Sequence, residues 1–131
     1  MLTSMRANRP DEGFTLVELL VTLVILGILA AIAIPMMFGQ RSKGYQAAMA
    51  SDLRNAVTAE TSFSTANNGQ YTALASDLQG EGYRTSAGVT PVHVKLIGNS
   101  YVACVKHDAV AAWLVYDGST GDVTHSSADC V

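Results

Sequence analysis

This sequence predicts an α+β fold: one long N-terminal α-helix packed on a small antiparallel sheet of about three or four strands. Three observations carry that prediction. An apolar block runs from Phe14 to Phe38 and passes without a stop signal into a stretch of helical spacing. Asn67-Asn68-Gly69 then breaks the chain. Beyond residue 90, short alternating segments are separated by turns rich in Gly, Asn, Ser and Thr.

A chain of 131 residues allows one small domain with an appendage. Its net charge of −3 comes without a basic cluster, so no specific nucleic acid is predicted as a partner. The two cysteines, Cys104 and Cys130, suit either one disulfide or two unrelated thiols, and the compartment decides between them.

Residues 1–13 are polar, with Arg6, Asn8, Arg9, Pro10, Asp11 and Glu12 leaving no room for an apolar helix. The following run, FTLVELLVTLVILGILAAIAIPMMF, is about 25 residues long, enough to cross a hydrocarbon core. Glu18 is its single charged member. A carboxylate there costs on the order of 3 kcal/mol on insertion scales, so it needs a partner or a purpose, and the nearby chain offers no cation. A secretory signal peptide would have Arg6 and Arg9 as its basic region but too long an apolar stretch. A plain single-pass anchor explains the length and leaves Glu18, Gly27 and Pro35 unexplained. Composition and periodicity leave both readings open.

Gly13 to Pro35, GFTLVELLVTLVILGILAAIAIP, resembles the class III signal sequence of type IV prepilins and pseudopilins. A short polar leader, Gly-Phe, a nearby Glu and a long apolar helix coincide here. The resemblance implies that residues 1–13 are a leader removed by a prepilin peptidase between Gly13 and Phe14. Phe14 then becomes the N-methylated terminus. Glu18 matches the family's glutamate, and the resemblance implies that it pairs with the Phe14 amine of a neighbouring subunit during assembly. Pro35 matches the family's helix-breaking proline. It removes the hydrogen bond to the Ala31 carbonyl, and Gly27 lowers helix stability by about 1 kcal/mol relative to Ala. Gly27 to Pro35 is therefore where a helix break or bend is expected.

Residues 14–38 are thus expected to form the transmembrane and filament-core helix, and residues 39–66 its amphipathic continuation. Met49, Leu53, Ala56 and Phe63 recur at helical spacing, with Ser51, Arg54, Asn55, Thr58 and Ser62 on other faces. Helical from Phe14 to Ala66, this spine would be about 80 Å long. Residues 67–131 form the head. Gln70-Tyr71-Thr72 resembles the family's junction between spine and head, and a loop from Ala73 to Gly88 is predicted, with a short helical turn at Leu74 to Leu78. The first strand has Val92, Val94 and Leu96 inside. Further strands are expected at Tyr101 to Lys106, Ala111 to Tyr116 and Val123 to His125, with Trp113 in the core.

With the head outside the cytoplasm, as the resemblance implies, Cys104 and Cys130 are expected to form a disulfide, like the C-terminal disulfide loop of many pilins. The competing reading is a zinc site from Cys104, His107, His125 and Cys130. It lacks paired ligand spacing, and strand alternation sends Cys104 and His107 to opposite faces. No metal and no cofactor are therefore expected. His93 reads as a solvent-face strand residue. Asp108, Asp117, Asp122 and Asp129 are scattered over turns and tail, where acids are solvated, and the C-terminal signature of calcium-binding secretion pseudopilins is absent. No catalytic motif occurs, so no enzyme is expected.

The expected function is that of a structural subunit, a major or minor pilin, assembling through its N-terminal helix into a type IV pilus. The alternatives are a pseudopilin of a type II secretion or competence system, and a membrane-anchored binding domain that never polymerises. The expected partners are copies of itself or related pilins, inner-membrane lipid before assembly, the prepilin peptidase and the assembly platform. The expected location is the cytoplasmic membrane for the precursor and then the extracellular filament.

Overall fold

The structure is a computed structural model that describes residues 13–131. The leader, apart from Gly13, lies outside the described residues. Among these, helix α1 spans Leu16–Ala66, helix α2 Ala75–Gly80, and four strands follow: β1 His93–Ile97, β2 Ser100–Val105, β3 Trp113–Asp117 and β4 Val123–Ser126. The sheet is antiparallel in the order β1-β2-β3-β4. This is the expected α+β fold, a long helix packed on a four-stranded antiparallel sheet.

Two compact units divide the chain at Met37 and Phe38. In the first, every described side chain of the apolar run is exposed. Helix α1 continues through both Gly27 and Pro35. The expected break is therefore absent from this single subunit. A proline removes one backbone hydrogen bond and crowds one turn, and the intact turns on either side keep the helix in register.

In the second unit, the C-terminal part of α1 buries Met49, Leu53, Ala56 and Ala59 in one cluster with Val92, Val94, Tyr101, Ala103, Val105 and Leu114 of the sheet side. Phe63 is only partly buried. Helix α1 stops where Asn68 and Gly69 take positive φ values of 56° and 82°. The Gly69 N–H donates to the Ser64 carbonyl at 2.8 Å, and the Asn67 side-chain amide donates to the Phe63 carbonyl at 2.8 Å. Orphan carbonyls at the helix end are thereby satisfied. Helix α2 ends the same way: Gly82 has φ 95°, and the Tyr83 N–H donates to the Leu78 carbonyl at 2.9 Å.

Gly98 and Asn99 join β1 to β2, with Gly98 at φ 58°, the conformation a two-residue hairpin turn needs. In β2, alternation sends Tyr101, Ala103 and Val105 into the core and Val102 and Cys104 to the outer face. Two strand expectations need correction. Leu96 is exposed, because it lies close to the hairpin tip, beyond the buried Val92 and Val94. Trp113 is only partly buried and sits on the outer face: its neighbour Leu114 points inward, and period two sends Trp113 the other way. The Trp113 ring stands beside His93, and the Lys106 ammonium lies 5.8 Å from its centre.

Candidate assembly site and the anchors of the head

Phe14 precedes α1 and its side chain is 87 % exposed. Glu18 occupies the first turn of α1. The Glu18 N–H donates to the Thr15 hydroxyl at 3.2 Å, and the Thr15 N–H donates back to Glu18 Oε2 at 3.4 Å. Thr15-Leu16-Val17-Glu18 is thus a capping box, the reciprocal arrangement that satisfies two donors at a helix start. Sequence reading found no cation for Glu18 nearby and missed this local partner, although a Thr followed three residues later by Glu is its signature. The contacts are long and solvent-exposed. They leave the carboxylate available to a stronger, charged donor. A negative group at a helix N-terminus is also favoured by the backbone dipole.

The helix that follows Glu18 is long and apolar enough to cross a membrane, and none of its most apolar stretch is buried. Side chains from Leu16 to Phe38 stand exposed in an unbroken series. Monomeric soluble proteins do not present continuous apolar surface on this scale. Apolar surface of this extent marks a membrane or protein interaction site.

Two acids on the C-terminal part of α1 escaped sequence reading. Asp52 and Glu60 lie on the same stripe of α1 as Met49 and Ala56, and both are buried. Asp52 accepts from the Ser86 N–H and hydroxyl, each at 2.7 Å, and so ties the loop before β1 onto the helix. Glu60 Oε2 accepts from the Thr72 N–H at 3.2 Å, while its Oε1 is buried without a hydrogen-bond partner. The Thr72 hydroxyl in turn donates to Asp77 at 2.7 Å. Glu60 and Thr72 thus join helix to head at the Tyr71-Thr72 junction. The signal was present in the sequence: an acid at the helical period of an apolar stripe is either buried or a break in the stripe.

Burial pushes the Glu60 pKa up, the Thr72 N–H opposes this, and the Asp77 charge adds to it. Asp77 of α2 and Tyr101 of the sheet are the titratable groups that act on Glu60 or are acted on by it, and Tyr101 is itself raised, mainly by burial. A carboxyl with a raised folded-state pKa contributes stability that is complete below its unfolded value and is lost as pH rises through its folded value. Glu60→Gln mimics the neutral acid at every pH. Its stability relative to the parent should therefore increase as pH rises above the ordinary carboxylate value of 4.5. Paired thermal melts over a pH series starting below 4.5 check this, and a pH-independent difference would show that Glu60 titrates alike in the folded and unfolded chain.

Cys104 and Cys130 are joined as a disulfide, with Cα atoms 6.0 Å apart. The bond holds the tail after β4 against the outer face of the sheet, which is why Cys104 is fully buried there. His93, expected to be a solvent-face residue without further role, meets Asp129 of this tail at 2.7 Å, so that acid is paired and not simply solvated. His107 lies on the helix side, stacked on Tyr45 of α1 with ring centres 4.2 Å apart. Gly88 has φ 78°, and a Cβ there would fall 2.8 Å from His107 Nε2, so only glycine fits against that ring. His107 is therefore remote in role from the cysteines, as strand alternation implied. The β3–β4 turn holds Asp117, whose carboxylate accepts from Ser119 and is lowered in pKa chiefly by that hydroxyl.

An exposed apolar helix that starts at a capped glutamate and carries a small disulfide-closed sheet defines a filament-type subunit. The family description "Prokaryotic N-terminal methylation motif" matches residues 8–34. The "Type IV wide pilus major component PilA4" of Thermus thermophilus is 33% identical over 106 residues, covering 80% of each chain. The "Type IV major pilin protein PilA" of Myxococcus xanthus is 31% identical over 116 residues, 79% of this chain and 52% of that one. The "Competence protein ComGC" of Bacillus subtilis is 37% identical over 98 residues, 74% of this chain and 98% of that one. The chain belongs to the type IV pilin family, in which pilus subunits and pilin-like competence proteins share one plan.

Proposed function

We propose that this chain is a structural pilus subunit, a major or minor pilin, made as a membrane-anchored precursor and assembled through its N-terminal helix into an extracellular filament. The observation that carries the reading is the exposed apolar helix headed by Glu18. Residues 1–13 are the leader, cut between Gly13 and Phe14 by a prepilin peptidase, which also methylates Phe14. Residues 14–38 anchor the precursor in lipid and later form the filament core. Residues 39–66 bridge to the head, residues 67–131, which the filament displays. The Phe14 amine created by cleavage seeks the Glu18 carboxylate of a neighbouring subunit at the assembly platform. Gly27 and Pro35, helical in the single subunit, mark the turns that melt when the helix is packed in the filament, since Pro35 removes one backbone hydrogen bond and Gly27 gains the most backbone freedom on unwinding. The role is structural and not enzymatic.

Mass spectrometry of the protein from its native host checks this reading. A chain beginning at N-methyl-Phe14 and recovered in sheared filaments is the expected result. A chain that keeps residues 1–13 beside an active prepilin peptidase would instead mark a plain anchored protein. A competence pseudopilin is the second reading, favoured by a match that spans 98% of ComGC. Loss of transformation with normal surface pili in a deletion strain would select it.

A further inference from the structure

The outer face of the sheet gathers donors that the pilin role does not use. His93 Nδ1 lies 2.7 Å from Asp129 Oδ2, and Asp129 Oδ1 lies 3.2 Å from Cys104 Sγ. The ligand atoms of His93, Cys104 and Asp129 all fall within 4.8 Å of one another. Cys130 Sγ, bonded to Cys104, lies 3.6 Å from the His93 carbonyl oxygen. Three zinc-type donors, an imidazole, a carboxylate and a sulfur, therefore converge on one spot, and the second sulfur is attached to it through the Cys104–Cys130 bond. In the oxidised chain the sulfurs are spent on each other, and a disulfide is not a thiolate ligand.

We propose that the dithiol form of this chain holds one zinc ion through His93, Cys104, Asp129 and Cys130, and that disulfide formation and zinc binding exclude each other. A dithiol reductant gives two electrons and two protons to the Cys104–Cys130 bond, yielding two thiols and its own disulfide. Zinc then takes both sulfurs as thiolates and two protons leave to solvent. Zinc bonds of 2.0–2.3 Å at tetrahedral angles place ligand atoms about 3.3–3.8 Å apart. The His93, Cys104 and Asp129 atoms already fall within 4.8 Å of one another, and Cys130 Sγ takes the fourth corner once it parts from Cys104 Sγ. His93 and Cys104 face each other across the β1–β2 pair and are fixed by the sheet. Asp129 and Cys130 lie on the tail beyond β4, outside any helix or strand, so the remaining adjustment is made by the chain end. The ion would hold the tail where the disulfide otherwise holds it. A chain that has crossed the membrane but is not yet oxidised would then have a closed head.

The test uses the full chain in detergent micelles, reduced with an immobilised phosphine and titrated with Zn²⁺ and with Co²⁺. Trp113 is the single tryptophan, and its ring centre lies 5.2 Å from that of His93, so its fluorescence reports on the site directly. The reduced chain is expected to bind one equivalent of zinc. With cobalt it should show the visible bands of a tetrahedral site, a thiolate charge-transfer band and quenching of Trp113. The oxidised chain should show none of these. His93→Ala should weaken binding by more than the roughly 10–100-fold that loss of a mere supporting group costs. Asp129→Asn, on the exposed tail, should weaken it too and supplies that arm independently of sheet folding. Reduced protein that takes up no zinc overturns the proposal. So does binding that survives both substitutions, since the two cysteines would then be chelating on their own.

Discussion

Glu18→Ala is expected to leave membrane insertion and cleavage at Gly13–Phe14 intact while lowering the yield of sheared filament by about tenfold or more. A carboxylate in lipid costs on the order of 3 kcal/mol, and deleting it removes that penalty, so the precursor itself should be no less stable in the membrane. The loss falls on assembly. A charged pair satisfied only by the next subunit favours one docking register, which is the best-attested role of buried ion pairs. Each 1.4 kcal/mol lost from a docking step lowers its equilibrium constant about tenfold. The capping box complicates the reading, since Glu18 also caps its own helix through Thr15. Loss of a cap costs about 1 kcal/mol of helix stability. Thr15→Ala separates the two roles, because it removes the box and keeps the carboxylate. Filament yield close to wild type in Thr15→Ala and collapsed yield in Glu18→Ala assign the effect to the carboxylate between subunits. Normal filaments from Glu18→Ala would end the registry account, and equal loss in both variants would move the effect to the cap.

What the sequence disclosed and what it hid follow from how locally each feature is encoded. The end of α1 was legible because Asn68 and Gly69 supply the left-handed conformation themselves. The hairpin at Gly98-Asn99 was legible for the same reason. The alternating Val92 and Val94 marked the inner face of the first strand, and the structure buries both. Asp52 and Glu60 were not recognised, because their burial depends on what the loop carrying Thr72 and Ser86 brings over the helix. Trp113 was misplaced for a related reason. A large aromatic in a strand reads as core, but which face is inside is set by register against β2, where Val105 pairs with Leu114. His93 and Asp129 meet only because the tail crosses the outer face, a contact between residues 36 apart in sequence. The site at the start of α1 is the opposite case. Thr15 and Glu18 lie within one turn, so the capping box was encoded locally and was overlooked, not hidden.

The tail also sets the second large effect. Breaking the Cys104–Cys130 bond is expected to lower the stability of the head by about 3.5 kcal/mol in the chain-entropy treatment of disulfides, for a sequence separation of 26 residues. For a domain of this size that corresponds to a fall in Tm of about 15–25 °C. The geometry says where the loss is felt. Once the bond is gone, the tail keeps its His93–Asp129 pair, with both side chains about a third or more exposed. Exposed pairs contribute only about 0–1 kcal/mol. Cys104, now covered by the tail, would then face solvent on the outer sheet, while the core face of β2, with Tyr101, Ala103 and Val105, keeps its packing. The chain should therefore remain folded at room temperature but melt earlier, with fraying that begins after β4. Thermal melts of the full chain in detergent, oxidised, reduced, and as Cys104→Ala/Cys130→Ala, check this. Reduced parent and double variant should agree within a few degrees, because both lack the same cross-link. A Tm that stays within about 3 °C of the oxidised parent would mean that the unbonded tail still closes the head, with the disulfide adding nothing to what packing already holds. Zinc added to the reduced parent, but not to the double variant, should recover part of the loss, since a ligand that binds only the folded state raises its stability. That comparison separates the cross-link from the position of the tail, because the metal restores the second without the first.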